Sequence, residues 1–340
     1  MQPRRRRRWV AVIALGLLLA LVAVEAGRAV IPPKALRTES RTVEIPPQHG
    51  LLEIAEILAD DGVIRSPFAF VALAVLRGTA HSLKAGEYEI PRGASLLTTL
   101  KLLEAGKVKP HLIALREGFT VRELARQLEA EGIAPAADVL RVAQSPFFTQ
   151  SLGIEADGIE GYLFPDTYQV TKGMRAEEIL GRMVQHFQEK IATLEVLARA
   201  RERGLSLHQL VTLASIVEKE AVVQEEMPLI AGVFWNRLKR NMPLQADPTV
   251  AYAVGKDGRA PTREDIQTDH PFNTYRYRGL PPGPIGSPGR AAVDAVLAPA
   301  AVPYLYFVSI DDRRHHFSAT LDEHNEAVTR YRQARRSGAL

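Results

Sequence analysis

Two glutamates separated by one residue, Glu218 and Glu220, have the side chains best suited to acid–base catalysis in this sequence. They close a run of apolar residues at helical spacing, which predicts an amphipathic helix from Ser206 to about Glu226. Ser206 and Gln209 form a capping box that marks the start of this helix. Both carboxyl groups are therefore predicted to lie on one helix.

Each glutamate borders the apolar stripe of that helix. Glu220 lies over Leu213 and Ile216, while Glu218 lies on the opposite edge, beside Ala214. Burial against apolar surface without a positive partner raises the pKa of a carboxyl group, as a general acid at neutral pH requires. Helical geometry does not choose between the two, and Glu-Lys-Glu is also typical of a solvated surface patch.

Two loop-like stretches after this helix carry polar side chains that suit ligand recognition. The amide, carboxylate and hydroxyl groups there are predicted to converge on one polar ligand. The candidates are Gln245, Asp247, Thr249, Asn273 and Tyr275. Asp247 precedes Pro248, which also indicates a helix start that Asp247 would cap.

The stretch EGYLFPDTY, residues 160–168, combines aromatic rings with carboxylates. Rings pack on the apolar faces of pyranoses, so this loop is a candidate wall of a sugar groove, with Glu160 as a substrate-binding residue. The alternative is a loop packed onto the core through Tyr162 and Phe164. The sequence alone leaves both interpretations open.

Three of the nine histidines lie within ten residues, at His315, His316 and His324. Residues 304–309 and 315–318 predict a β-hairpin. Adjacent histidines on a strand point to opposite faces, so His315 and His316 are not expected to share one metal ion. We therefore predict no metal site and no cofactor, and expect a structural or sugar-contacting His316.

Composition excludes other classes of function. The chain has no cysteine, which excludes disulfides and thiolate chemistry. The formal net charge is +4, but Arg4 to Arg8 supply five positive charges, so the remaining residues are slightly acidic as a group. No basic face or recognition motif is evident, and nucleic-acid binding is not expected.

The N-terminus indicates the compartment. Trp9 to Val24 is uncharged and follows five arginines, which predicts a membrane anchor over 9–27 after a cytoplasmic tail, 1–8. A cleaved signal peptide ending near Ala26 is the alternative, although Glu25 suits a signal peptidase poorly. Residues 28–41 are interpreted as a stalk.

A strand and a helix are predicted to occur twice in the first half of the chain. Five positions recur 70 residues apart: Ile45, Glu53, Ala55, Leu58 and Gly62 match Leu115, Glu123, Ala125, Leu128 and Gly132. A further strand is predicted at residues 86–91 and a helix at 95–104. Beyond the second copy, one long helix is predicted over about 176–203.

Several motifs, taken together and in order, resemble those of the endolytic murein transglycosylases, the YceG-like or MltG family. They include LASIVEKE (213–220), NRL (236–238), LQADPTV (244–250), FNTY (272–275), GLPPGPIGSPG (279–289), YLYFV (304–308) and HHF (315–317), besides EGYLFPDTY and the apolar N-terminus. The resemblance spans the chain. It implies that Glu220 is the catalytic residue, that Glu218 supports it, and that the polar side chains of the two loops contact sugar hydroxyls and N-acetyl groups.

The resemblance also implies the activity. The family's enzymes are lyases that cleave the bond between N-acetylmuramic acid and N-acetylglucosamine and leave a 1,6-anhydro end. Implied partners are peptidoglycan strands, penicillin-binding proteins and the inner membrane, with the catalytic domain in the periplasm and a role in terminating nascent strands.

The expected architecture is α+β, with an N-terminal transmembrane helix, a LysM-like module at 42–108, a second strand-helix unit and linker at 109–155, and a catalytic domain at 156–335. The Glu220 helix is expected to pack on an antiparallel sheet. Two alternative functions remain: a non-catalytic peptidoglycan-binding scaffold, and a hydrolase that uses Asp247 as a second acid.

Overall fold

The computed structural model describes residues 39–311 and 313–336, together with the single positions 13, 16, 27, 32, 33 and 36. This part of the chain is a mixture of helices and short strands, so the predicted α+β class is confirmed. Apart from those single positions, the expected tail (1–8), the expected anchor (9–27) and most of the expected stalk (28–41) lie outside the described residues. None of the described helices is both long and apolar enough to cross a membrane.

The chain divides into two compact units. The first reaches His111 and adds Gln169–Met174, and the second comprises Leu112–Tyr168 and the chain from Arg175 onward. The sheets are all two-stranded in the described residues. The domain boundaries expected from the sequence stay predictions.

The first unit contains a strand, two helices, a second strand and a third helix. Their bounds are β1 (Arg41–Ile45), α1 (Leu51–Asp60), α2 (Pro67–Leu76), β2 (Gly86–Ile90) and α3 (Leu96–Ala105). β1 and β2 are antiparallel, with Arg41 opposite Ile90 and Ile45 opposite Gly86. Alternate residues of β1, Val43 and Ile45, are buried in one apolar core with residues from all three helices.

The second unit is mostly helical. Its elements, with the two strands near the unit boundary, are β3 (His111–Ala114), α4 (Val121–Ala130), α5 (Ala136–Ala143), α6 (Pro146–Ser151), β4 (Thr167–Val170), α7 (Ala176–Lys190), α8 (Leu194–Glu202), α9 (Leu207–Glu220), α10 (Met227–Lys239), α11 (Asp247–Ala253), α12 (Arg263–Gln267), α13 (Arg290–Leu297), β5 (Tyr306–Ser309), β6 (His315–Ser318) and α14 (Leu321–Arg336). The predicted hairpin is present, with β5 and β6 antiparallel.

The repeated sequence pattern corresponds to repeated local structure. In α1 the Glu53 carboxylate accepts a hydrogen bond from the Gly50 N–H at 2.7 Å. In α4 the Glu123 carboxylate accepts one from the Thr120 N–H at 2.9 Å. Both helices have ten residues. The shared glutamate therefore closes the first turn in both copies.

Two predicted helices are shorter than expected. The segment 176–203 is divided, because the Thr193 hydroxyl accepts from the Val196 N–H at 3.3 Å and starts α8 as a separate helix. α9 ends at Glu220 rather than near Glu226, since Ala221 adopts an extended conformation. Two β-branched valines follow, and Pro228 lacks the N–H that a continuous helix would need.

Helix α9 is the centre of the second unit. The residues from Leu210 to Val217 are all buried. The main contacts of α9 are with α13, α10, α11 and α8, and not with an antiparallel sheet as expected. The capping box at Ser206 and Gln209 is present. A helix enclosed by other helices holds its last residue, Glu220, in a fixed position.

Candidate active site

Glu220 opens onto a cavity of about 310 Å³. Its position at the end of α9 puts the carboxyl group beyond the apolar core, where it is only partly exposed. The wall is built from α9, α10, the 244–247 loop, Tyr275 and the β5–β6 hairpin. The lining residues are Glu220, Arg237, Leu244, Gln245, Asp247, Tyr275, Phe307, Val308, Ser309 and His315.

The Glu220 carboxyl is held in its neutral form. Burial raises its pKa to about 8, and the negative charge of Asp247 adds to the rise, while the Arg237 guanidinium opposes it. No group of the described residues donates a hydrogen bond to this carboxyl within 3.5 Å. At neutral pH the side chain therefore carries a proton that it can give to a bound molecule.

Asp247 is the second acid of the cavity. Its Oδ1 accepts a hydrogen bond from the Tyr275 hydroxyl at 2.6 Å. Burial and the Asp247 charge raise the pKa of Tyr275, which stays a donor. The expected capping role of Asp247 is wrong, because Asp247 is itself the first residue of α11, and the cap position, Ala246, has no side chain that could accept. Its carboxylate is thus directed to Tyr275 and the cavity.

Arg237 connects three parts of the cavity wall. Its Nε donates to the Leu305 carbonyl at 2.7 Å and its Nη1 to the Leu244 carbonyl at 2.7 Å. The guanidinium also stacks on Tyr306, 5.3 Å from the ring centroid. The donors of this guanidinium thus connect α10 to the 244–247 loop and to the residue that precedes β5, around a buried positive charge.

Gln245 lies on the same wall in an unusual backbone conformation. Its φ is 51°, in the left-handed region that few residues other than glycine adopt. The Gln245 N–H donates to the Thr274 carbonyl at 3.1 Å, and its Oε1 accepts from Arg237 Nη1 at 3.4 Å. These contacts hold a strained residue at the cavity, a combination that is frequent at binding sites.

Thr249 and Asn273 hold the loops and do not line the cavity. Both are fully buried. The Thr249 hydroxyl donates to the Ala246 carbonyl at 2.7 Å. Asn273 Nδ2 donates to two carbonyls of the 266–268 segment, and its Oδ1 accepts from the Tyr275 N–H at 3.0 Å. The expectation that these two residues contact sugar is therefore replaced by a role in positioning Tyr275 and α11.

Glu218 points away from the Glu220 cavity. Its Oε2 accepts a hydrogen bond from the Gly289 N–H, at 2.8 Å, at the start of α13. Burial raises its pKa to about 7, and the charge of Glu117 contributes to the rise. The structure thus gives the two glutamates different surroundings, which helical spacing alone did not.

Glu160 lies in another cavity of the second unit, of about 480 Å³, lined also by Tyr252 and Phe272. Its carboxylate accepts from the Val121 N–H at 3.2 Å and from the Tyr252 hydroxyl at 3.3 Å, and burial raises its pKa to about 7. Tyr162 is buried and hydrogen-bonds His208. The 160–168 loop thus packs on the core, and the structure does not bring Glu160 to Glu220.

Three polar residues that line the cavity were not assigned a role from the sequence: Arg237, Ser309 and His315. His315 Nδ1 lies 2.7 Å from Glu226 Oε2. The other oxygen of the same carboxylate, Oε1, accepts a hydrogen bond from the His315 N–H at 3.1 Å. Arg237 and His315 belong to motifs already noted. Arg237 also lies within a mostly apolar helix, and this position was a signal from which its role could have been predicted. Within the described residues, no cluster of three possible metal ligands is present.

A carboxylic acid of raised pKa beside a second acid, in an open cavity with polar side chains, is an arrangement suited to enzymes that work by proton transfer. The chain belongs to the YceG-like family, whose sequence model matches residues 43–330. This result confirms the resemblance that the motifs indicated.

Two named relatives and one solved structure are similar to this chain and support the family assignment. An endolytic murein transglycosylase of Bacillus subtilis is 32% identical over 324 residues, covering 90% of this chain and 89% of that protein. One of Streptococcus pneumoniae is 29% identical over 335 residues, covering 89% of this chain and 60% of that protein. A crystal structure of a yceG-like protein from Listeria monocytogenes is 34% identical with a TM-score of 0.60, covering 85% of this chain and 98% of that one.

Proposed function

We propose that this chain is a lytic transglycosylase that cleaves peptidoglycan glycan strands, with Glu220 as its general acid and then its general base. The observation that carries the proposal is a carboxyl group of raised pKa that faces a cavity lined by polar side chains. The names of the relatives supply the substrate class.

Lytic cleavage needs one acid–base group and no water. Glu220 gives its proton to the glycosidic oxygen as the bond from the muramic acid anomeric carbon to that oxygen breaks. The C6 hydroxyl of the same sugar then bonds to the anomeric carbon, and the Glu220 carboxylate takes the hydroxyl proton. Glu220 is thereby restored, and the products are a free glycan end and a 1,6-anhydro end.

Asp247 supports this cycle through its charge. A second carboxylate near Glu220 favours the protonated acid at the start, and its negative charge faces the positive charge that develops at the anomeric carbon. The Tyr275 hydrogen bond fixes the orientation of this carboxylate. Gln245, on the same wall, supplies an amide for hydroxyl or N-acetyl groups.

The hydrolase alternative is retained because Asp247 and Glu220 line one cavity. In a hydrolase the second acid would activate water or attack the sugar directly. Mass spectrometry of the new ends separates the two reactions, since hydrolysis adds one water and lytic cleavage adds none. Products with anhydro ends support the proposal, and products with reducing ends reject it.

The proposed setting is the inner membrane. Residues 9–27 anchor the chain with its N-terminus in the cytoplasm, and the enzyme acts in the periplasm on nascent strands beside penicillin-binding proteins, where cleavage terminates polymerisation. The first unit is a LysM-like module that binds glycan. A scaffold without activity is the alternative to this enzyme, and incubation of the purified full chain with glycan strands distinguishes them, because a scaffold yields no anhydro products.

Replacing the two glutamates tests the catalytic assignment. We expect Glu220→Gln to reduce cleavage by at least about 100-fold, because general acid–base catalysis contributes factors of that order or more. Glu218→Gln is the matched control: it makes the same chemical change on the same helix, but its side-chain oxygen can still accept the Gly289 N–H. A smaller loss is expected there. Equal losses, or full activity of Glu220→Gln, would reject the assignment.

A further inference from the structure

Helix α2 exposes an apolar face. Its sequence, PFAFVALAVL, contains no polar side chain. Phe70 and Ala74 are buried in the core of the first unit. The residues on the opposite side of the helix recur at spacings of four, three and one and are exposed. They are Phe68 (83% exposed), Ala72, Val75 (59%) and Leu76 (84%). This set is called the α2 outer face.

A helix that is apolar all round is normally enclosed by protein or lipid. With ten residues, α2 is about 15 Å long, half of what is needed to cross a hydrocarbon core of about 30 Å. A short helix with one face on a protein core and the other apolar suits the interface between headgroups and acyl chains, where such faces insert by about 5–10 Å.

The chain path holds this helix close to the proposed anchor. Arg65, which precedes the capping Ser66 of α2, donates from Nη2 to the Pro32 carbonyl at 3.2 Å. Leu36 is buried in the same unit, and its carbonyl accepts from the Gly93 N–H at 2.7 Å. The anchor ends at Gly27, and the five residues from there to Pro32 reach at most about 18 Å.

Basic residues stand at both ends of α2. Arg65 is exposed before the first turn. Arg77 follows the last turn, paired with Glu104 at 2.8 Å and with 38% of its side chain exposed. Arginines at the edges of an apolar face can extend toward lipid headgroups while the face enters the acyl region.

We propose that the α2 outer face docks on the periplasmic surface of the same bilayer in which the N-terminal segment is anchored. The proposal rests on the anchoring given under the proposed function. Four side chains alone bind lipid weakly, but a short tether makes the contact intramolecular and raises its effective concentration to the millimolar range. The docked face sets the first unit at a fixed height on the membrane.

The absence of cysteine makes the test direct. Single-cysteine variants Phe68→Cys and Val75→Cys of the full chain are labelled with an environment-sensitive fluorophore and reconstituted in vesicles. Phospholipids that carry a quencher on the acyl chain are then added to the vesicle composition. We expect several-fold stronger quenching at both positions than at a control site.

Phe147→Cys is the matched control. Phe147 is 82% exposed and, like Phe68, follows a serine and a proline at a helix start. The Ser145 hydroxyl accepts from the Phe148 N–H at 3.3 Å, as the Ser66 hydroxyl does from the Ala69 N–H at 3.3 Å. Probe, residue type and local backbone are thus the same, so a difference in quenching reports lipid contact.

The outcomes separate docking from anchoring. Flotation of the labelled chain with the vesicles measures anchoring independently. A chain that floats but shows equal or no quenching at Phe68 and Phe147 overturns docking while the anchor stands, and a chain that does not float overturns both. Blue-shifted emission at Phe68 that appears only when glycan strands are added would replace lipid by glycan as the occupant.

Discussion

At the scale of single residues, Glu220 and Asp247 line one cavity but have different surroundings. Glu220 is buried close to the Asp247 charge and has no hydrogen-bond donor among the described residues, so its neutral form is favoured. Asp247 accepts a hydrogen bond from the Tyr275 hydroxyl, which orients its carboxyl group. In the proposed mechanism Glu220 donates the proton and Asp247 acts through its charge.

Asp247→Asn is predicted to shift the pH dependence of cleavage. Glu220 must be protonated to act as the acid, so kcat/KM declines as the pH rises through its pKa of about 8. Removing the neighbouring negative charge lowers that pKa, and the alkaline limb should move to lower pH. The measurement is a pH–rate profile of kcat/KM.

Asp138→Asn is the control for that profile, since Asp138 is exposed and pairs only with Arg141 on α5. Its alkaline limb should coincide with that of the unmodified enzyme. An unchanged or alkaline-shifted limb in Asp247→Asn would mean that Asp247 does not act on Glu220 through its charge.

Glu220→Gln is also predicted to stabilise the fold at alkaline pH. A carboxyl with a raised pKa in the folded state penalises folding as the pH rises from about 4.5 to about 8, because the unfolded chain ionises first. Glutamine removes that penalty, so its unfolding free energy should exceed that of the unmodified chain by about 3–5 kcal/mol at pH 9, since each unit of pKa difference contributes about 1.4 kcal/mol.

The difference in unfolding free energy should disappear near pH 4, where both states of Glu220 are protonated. Chemical denaturation at the two pH values measures it. A stability difference that does not depend on pH would contradict the raised pKa.

At the scale of elements, the 160–168 loop depends on a left-handed backbone conformation at Gly161 that favours glycine. Gly161 has φ of 81°, and a β-carbon there would overlap Pro284 and come within 3.0 Å of Val211. Gly153 has a similar φ of 68° but open space around it. Alanine substitutions at the two positions therefore separate the free-energy cost of the backbone conformation from that of overpacking.

Gly161→Ala is therefore predicted to destabilise the chain more than Gly153→Ala. The second variant should lose about 1–2 kcal/mol for the left-handed backbone, and the first about 1–3 kcal/mol more for overpacking. Thermal unfolding of both variants provides the comparison. Equal losses would show that the loop moves away from α9 without cost.

The sequence predicted elements better than it predicted the site. Periodicity and caps located α1 and α3, and the hairpin was located except that its first strand begins at Tyr306 rather than at residue 304, because these signals are local. The end of α9 was missed, since it depends on how Ala221 is placed by tertiary packing. Thr249 and Asn273 looked like ligands for sugar, and only their buried hydrogen bonds show that they hold loops. Whether a polar residue faces inward or outward in a loop has no periodic signal.

At the scale of the whole molecule, the chain is predicted to retain its N-terminus. An anchor requires the segment 9–27 to stay attached, whereas a signal peptide would be removed near Ala26. Peptide mapping of protein extracted from membranes should therefore recover a peptide that joins residues on both sides of Ala26. A peptide whose N-terminus is Gly27 would establish the signal peptide instead.

The β5–β6 hairpin determines how much of the chain must be synthesised before the Glu220 cavity is complete. Glu220 emerges from the ribosome long before Phe307, Ser309 and His315, which form the opposite wall of its cavity. A nascent or truncated chain that ends before the hairpin carries the glutamate without its enclosure. The cavity around Glu220 therefore forms only in a chain that extends at least to His315, and the proposed cleavage requires that part of the chain.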